Sequence, residues 1–348
     1  MSPLSALKIS LPLAALLLPL SSTLASPPLV DPPAVPIAYS LEEFRSAVRS
    51  GGPGKDGIPA IDNPRFQSAE QADGFLDDED IVIGIYRHGE ARAYPQRILV
   101  WHEIVNDEFA GEPVSITYCP LTGTALGFER GDTELGVSGK LVNSNLVMYD
   151  RATDSEWPQI LGVAIDGPLS GKGLEEFRVF WTTWGQWKAR HPDTEVLTDQ
   201  TGYVRNYRRD PYGSYRPLRG YYHPDSRRLF PVMTDDERYP PKSMVLGVRT
   251  ADGAIAIDKD ALREEEVVDV SLNGSQYTVV HDPDLDTGWV FHNPDDIEIE
   301  ASNLTFNAEG VSGSGLENLE AVNAFEAMWF AWAAFYPETA VYEGGEAL

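Results

Sequence analysis

Apolar and polar residues alternate in short runs through most of the chain, and the same succession of runs occurs twice. Ile81–Tyr86 and Glu90–Tyr94 flank His88-Gly89 and predict a β-hairpin; Met244–Arg249 and Ala254–Ile257 flank Asp252-Gly253 and predict another. Each is followed by a short helical pattern, Pro95–Val100 or Lys259–Glu264, with Pro95 suited to a first turn. Two further strands follow, joined by a turn containing Gly111 or Gly274. In the first unit, glycine-punctuated alternation then continues from Thr124 to Tyr149. Each unit closes on a helical Trp-x-x-Trp, Trp184 and Trp187 or Trp329 and Trp332, stopped by Pro192 or Pro337. These tryptophans are expected in the core rather than stacked on a ligand. Ser40-Leu41-Glu42-Glu43 is a capping box that starts a lead-in helix before Phe44 and Val48.

The two units superpose by number. Val82-Ile83-Gly84-Ile85 falls on Val245-Leu246-Gly247-Val248 at an offset of 163, as Pro120, Thr124 and Phe128 fall on Pro283, Thr287 and Phe291. The closing segments match at an offset of 145, so the second unit is shorter in its middle. A fixed offset over several stretches predicts a tandem duplication. The expected fold is a strand-dominated α+β protein of two similar lobes. Its divisions are a signal peptide (1–25), a Pro-rich tether and lead-in helix (26–56), a first lobe (57–200), a basic and aromatic inter-lobe segment (201–240) and a shorter second lobe (241–348).

Residues 1–25 have the pattern of a secretory signal: Lys8, an apolar run from Ile9 to Leu20, and Thr23-Leu24-Ala25 as the cleavage site. The run is too short for the roughly 20 residues of a membrane span. The expected location is therefore outside the cytoplasm, periplasmic or extracellular, with no membrane span after cleavage. Acidic residues number 54 against 27 basic ones, giving a formal charge of −27. That field repels nucleic acid and anionic lipid, which excludes both as expected partners. It suits a protein from a saline environment or an ordinary acidic exported protein.

The chain has one cysteine, Cys119, so no internal disulfide is possible. It lies in Thr117-Tyr118-Cys119-Pro120-Leu121-Thr122-Gly123-Thr124, where Pro120 ends a predicted strand and a turn begins. The Cys-x-x-Thr spacing lets the Thr122 hydroxyl and nearby amides point at the sulfur and favour its thiolate. The second unit has Asp282 in that place, which confines the thiol to one lobe. Candidate charge partners are His102, placed on the preceding strand, and Lys140 or Arg151 from the segment Gly136–Arg151. Asn143, Asn145 and Tyr149 in that segment, with Arg205 and Tyr212 in the inter-lobe patch, are candidate ligand-binding residues. A copper-type set of His102, Cys119 and Met148 lacks compact ligand spacing, and neither metal nor cofactor is expected. The expected partner is an unidentified small molecule or redox partner.

Several longer motifs are specific. They include Gly57-Ile58-Pro59-Ala60-Ile61-Asp62, Trp101-His102-Glu103-Ile104-Val105-Asn106-Asp107, the Cys119 segment, Met148-Tyr149-Asp150-Arg151, Asp210-Pro211-Tyr212-Gly213 and Phe230-Pro231-Val232. Together they resemble the family called domain of unknown function 3179, from about Gly57 to Tyr342. The resemblance implies a bacterial or archaeal protein, often exported. Some members look like selenoproteins or carry a second cysteine around the Cys-Pro-x-x segment, which implies thiol redox work. Thr122 at that second position leaves a monothiol route through a sulfenic acid or a mixed disulfide. The expected function is that of an exported thiol-dependent oxidoreductase acting through a Cys-x-x-Thr site. The alternative is a non-enzymatic two-lobed protein whose cleft, lined by Arg205–Tyr215 and the tryptophans, binds a ligand or partner.

Overall fold

The computed structural model describes residues 26–345, so the expected signal segment lies outside the described residues. Strand makes up 40% of the chain and helix 12%, a strand-dominated α+β protein. In the first half the opening hairpin, Ile81–Arg87 with Glu90–Pro95, forms the middle of a five-stranded sheet. Phe180–Thr183 pairs antiparallel with its first strand, and Glu195–Leu197 pairs parallel with its second. Phe66–Ser68 completes the far edge. The second half repeats this order: Ala324–Met328, Met244–Thr250, Gly253–Asp258, and a parallel last strand, Ala340–Tyr342. A meander of Ile104–Phe109, Glu112–Cys119 and Thr124–Glu129 likewise corresponds to Val267–Leu272, Ser275–Asp282 and Thr287–His292. The two halves thus share one strand order. The first half also carries a sheet of its own, in which Leu135–Val142 and Asn145–Asp150 are central.

The same device locks the closing helix of each half, Trp184–Arg190 and Trp329–Phe335, onto its sheet. All four tryptophans are fully buried. A Cβ on Gly84 would lie 2.3 Å from the Trp187 ring, and one on Gly247 would lie 2.1 Å from the Trp332 ring. Only glycine leaves room for the indole there. The buried indole N–H is satisfied in both cases, Trp187 donating to Thr194 Oγ1 at 3.0 Å and Trp332 to Thr339 Oγ1 at 2.9 Å. The tryptophans therefore line no cleft, contrary to the alternative reading; burying their large apolar area is what they do.

The two halves share one apolar core. Cys119, Trp157 and Phe44 belong to the same cluster as Trp329, Trp332 and Phe335. The Met328 amide donates to the Thr122 carbonyl at 2.8 Å, and Asn143 Nδ2 donates to the Ala334 carbonyl at 3.0 Å. Arg249 crosses the junction to Glu176 (2.7 Å) and to the Ile160 carbonyl (2.9 Å). The Pro-rich segment lies against the first half, where Leu29–Val30 pairs with Gly173–Leu174. The inter-lobe segment folds back as a strap containing the hairpin of Gly213–Tyr215 and Leu218–Gly220.

Candidate functional site

Cys119 ends its strand opposite Thr124, and Asp282 ends the corresponding strand opposite Thr287. Both strands turn through a proline and leave the turn on a residue with positive φ, Gly123 at 61° and Asp286 at 52°. In the second half this turn holds an anion. Asp282 Oδ1 accepts the amides of Asp284 (3.1 Å) and Leu285 (3.2 Å), and Arg190, from the first half's closing helix, neutralises the carboxylate at 2.9 Å. In the first half the sulfur occupies that cradle, and Phe335 occupies the helix position corresponding to Arg190 at the 145-residue offset. That helix position carries an aromatic residue where the other half has a cation.

The consequence is a thiol that is 1% exposed and protonated at neutral pH. Burial pushes it up to about 11, and the neighbouring Glu103 carboxyl pushes the same way. Hydrogen bonding from the Thr122 hydroxyl and the amides of Leu146 and Leu121 acts in the opposite direction without prevailing. This corrects the expectation of a sulfur poised as an anion: the donors are present, but desolvation outweighs them and no cation among the described residues offsets it. The thiol donates weakly to the Ser144 carbonyl, 3.8 Å away.

Glu103 stands out among the sulfur's neighbours. It is only 7% exposed, and its carboxyl has neither a hydrogen-bond nor a charge partner among the described residues. Burial alone drives its pKa to about 8. Its φ is +60°, a left-handed conformation unusual for a glutamate. Glu266, its counterpart at an offset of 163, has φ +62° and is exposed. The backbone kink therefore belongs to the fold, since the carbonyls of both glutamates accept the amide that precedes the site residue, from Tyr118 or His281, at 2.7 Å. Burial of the carboxyl belongs to the first half alone.

A roof of tyrosines from the strap covers the site. Tyr212 and Tyr221 lie close enough to the sulfur for its charge to raise their pKa, beyond the effect of burial itself. The Tyr221 hydroxyl donates to the Leu121 carbonyl in the turn (2.8 Å). Tyr215 stacks on Tyr222 at 3.9 Å, and a Cβ on Gly123 would meet the Tyr215 hydroxyl at 3.2 Å. Gln96 donates to Tyr118 (3.1 Å) and to Asp210 (2.8 Å), and Asp210 also accepts the Tyr222 hydroxyl (2.9 Å). Lys242 lies beneath, its ammonium 3.3 Å from the Tyr221 ring centre, with a pKa lowered by burial to about 8.

The structure gathers some of the expected residues here and disperses others. Thr122 is fully buried at the sulfur, and Asn145 orients its hydroxyl with a 3.1 Å bond to Oγ1. Asn145 is thereby a positioning residue rather than a ligand contact. Tyr212 is in the roof. His102 lies in the turn before its strand, not on it, and both ring nitrogens are taken: Nδ1 donates to the Pro59 carbonyl and Nε2 accepts from Tyr207, each at 2.7 Å. Burial lowers its pKa. Lys140 pairs with Glu156, and Arg151 pairs with Asp62 (2.8 Å) and Glu134. In so acidic a chain these cations are committed to carboxylates, which removes them as charge partners of the thiol. Asn143 ties the halves together, accepting the Met233 amide at 2.8 Å. Tyr149 bonds Asp56 at 2.6 Å. Arg205 is exposed, its guanidinium turned to the Val204 carbonyl. Met148 is fully buried in the core. Among the described residues no group of three or more His, Cys, Asp or Glu is placed to hold a metal.

Sequence reasoning passed over Glu103, Tyr118, Tyr221 and Tyr222 as site residues, and placed Asp210 and Tyr215 only within the cleft-lining segment Arg205–Tyr215. One signal for Glu103 was available, since the 163-residue offset places a glutamate at both 103 and 266. No curated protein and no solved structure gives a significant match to this chain. The family model described as protein of unknown function (DUF3179) matches residues 55–339, a span that includes Cys119, Glu103 and the whole tyrosine strap, and the chain belongs to that family.

Proposed function

We propose that this chain is an exported thiol-dependent oxidoreductase in which Cys119 is the nucleophile and Glu103 the acid–base group. The observation that carries this reading is the carboxyl of Glu103, a residue 7% exposed and without a partner among the described residues, beside the one cysteine. A buried carboxyl without a partner destabilises the fold, and such groups concentrate where proton transfer is needed. Export rests on the pattern of residues 1–25.

The chemistry is thiol–disulfide exchange with an external disulfide. Ionised Glu103 takes the Cys119 proton, and the sulfur attacks one disulfide sulfur. A bond forms between Cys119 and that sulfur as the original S–S bond breaks. The leaving thiolate takes the proton from Glu103. An external thiol then attacks the mixed disulfide, giving a new external disulfide and restoring the Cys119 thiol. With Thr122 in place of a second cysteine, the chain cannot resolve the mixed disulfide itself. Thr122 and the turn amides steady the anion during transfer. Displacement of Tyr215 and its neighbours opens the way to the sulfur.

The test uses the folded full chain and bis(2-hydroxyethyl) disulfide, followed by intact mass. One adduct is expected at Cys119, released by added thiol and missing in Cys119→Ser. Glu103→Gln slows its formation at pH 8, and Tyr215→Ala speeds it. The reading fails if the folded chain stays unmodified under conditions that fully modify the denatured chain, or if Glu103→Gln reacts at the parent rate.

A further inference from the structure

The strap has a second face. Arg97, Arg208, Arg209, Arg216 and Arg219 line a polar pocket of about 290 Å³ together with Gln96, Ser214 and three carboxylates. Five guanidinium groups around one cavity run against a chain with twice as many acidic as basic residues. The carboxylates pair with only two of them. Asp80 is taken by Arg97, and Glu79 meets Arg216 at 3.4 Å. Asp210 is turned to Gln96 and Tyr222. Arg208, Arg209 and Arg219 have no carboxylate within salt-bridge distance among the described residues, while most other cations of the chain do.

We propose that this pocket binds a small molecule through a doubly charged oxyanion, a phosphate or sulfate ester. Guanidinium forks fit such oxyanions bidentately, which a lysine ammonium cannot do. The arginines come from two sides, Arg208 and Arg209 from the strap's first limb and Arg219 from the hairpin, so a bound anion is held between them. The volume is near the lower end of the roughly 300–1,000 Å³ typical of small-ligand pockets, which leaves room for an organic group beyond the anion. Ser214 and Gln96 complete the polar lining, their donors already given to the Arg216 carbonyl and to Tyr118 and Asp210, so the arginines supply the free ones. The site does not require a reactive Cys119. It shares Tyr215, Asp210 and Gln96 with the roof over the sulfur.

Titration calorimetry on the full chain in low-salt buffer tests this with inorganic phosphate, inorganic sulfate, phenyl phosphate and benzoate. Phosphate and phenyl phosphate are expected to bind with Kd of about 1 mM or tighter, phenyl phosphate the better of the two. Benzoate, with a single charge, binds at least tenfold more weakly on the order expected for one lost charged hydrogen bond. Added salt weakens binding, because the arginines are exposed. Arg208→Ala and Arg219→Ala each lose about tenfold, with Arg208→Lys between them and the parent chain. Arg205→Ala, outside the pocket, binds as the parent does. Sulfate matching phosphate assigns the site to either ester, and sulfate failing restricts it to phosphate esters. No heat from phosphate or phenyl phosphate up to about 10 mM overturns the proposal, as does equal binding by the Arg208 and Arg219 variants.

Discussion

Cys119 and Asp282 occupy equivalent turns of the two halves, and only Asp282 is given a cation. Arg190 meets Asp282 at 2.9 Å with its side chain 6% exposed and that of Asp282 fully buried. Cys119 has Phe335 in its cluster instead. One fold feature, a turn whose amides face the end of a strand, thus serves a structural ion pair in one half and a thiol in the other.

Replacing the two residues should separate these roles. Asp282→Ala removes the buried partner of Arg190 and the acceptor of the turn amides, leaving the guanidinium Asp284 at 2.8 Å and the Asn307 carbonyl, and is expected to cost about 3 kcal/mol. Cys119→Ala removes a small apolar group and should cost on the order of 1 kcal/mol. Denaturant unfolding of both variants checks the contrast. Similar losses would mean that the cradle has the same structural role in both halves.

Glu103 makes stability depend on pH in a defined window. Its folded pKa is about 8, above the 4.5 of an unperturbed glutamate, so the folded state holds the proton more tightly. Stability from this group is full below about pH 4.5, falls as pH rises towards 8, and falls no further above it. The loss is about 5 kcal/mol at most across the whole window, at about 1.4 kcal/mol per pH unit, and on the order of 4 kcal/mol between pH 5 and 8. Glu103→Gln keeps the shape without the proton, so its unfolding free energy should be flatter between pH 5 and 8 by about that much. Parallel curves for parent and variant would show that Glu103 ionises normally.

The glycines beneath the tryptophans should be intolerant of any side chain. Gly84→Ala and Gly247→Ala place a methyl inside the contact distance of Trp187 and Trp332, and each should cost about 1–3 kcal/mol through overpacking. Adding Trp187→Leu to Gly84→Ala should make the second change nearly free of its own cost, since the two residues share one space. Thermal unfolding of the single and double variants measures that coupling. Additive losses would mean that the methyl is accommodated elsewhere.

Hairpins, closing helices and their repetition were legible because they depend on neighbouring residues. His88-Gly89 and Asp252-Gly253 mark the hairpin turns, and Ser40 caps its helix as the capping box requires. The site was only half legible. Cys119 and Thr122 are three residues apart on one turn, so their meeting is local. Charge partners were misassigned because alternation along a strand says which face a residue takes, not what covers it. Lys140 and Arg151 found carboxylates at Glu156, Asp62 and Glu134. His102 found Pro59 and Tyr207 from distant parts of the chain.

By itself the sequence determined the acidic charge, the single thiol, the strand-rich class and the recurrence of two units, all of which are set by composition and short-range pattern. Tertiary structure decided whether the thiol is ionised and what stands beside it. Those depend on desolvation and on the strap of residues about a hundred positions away, whose tyrosines close over Cys119 and Glu103. A pKa is set by the dielectric and the charges around a group, and no local pattern carries that information.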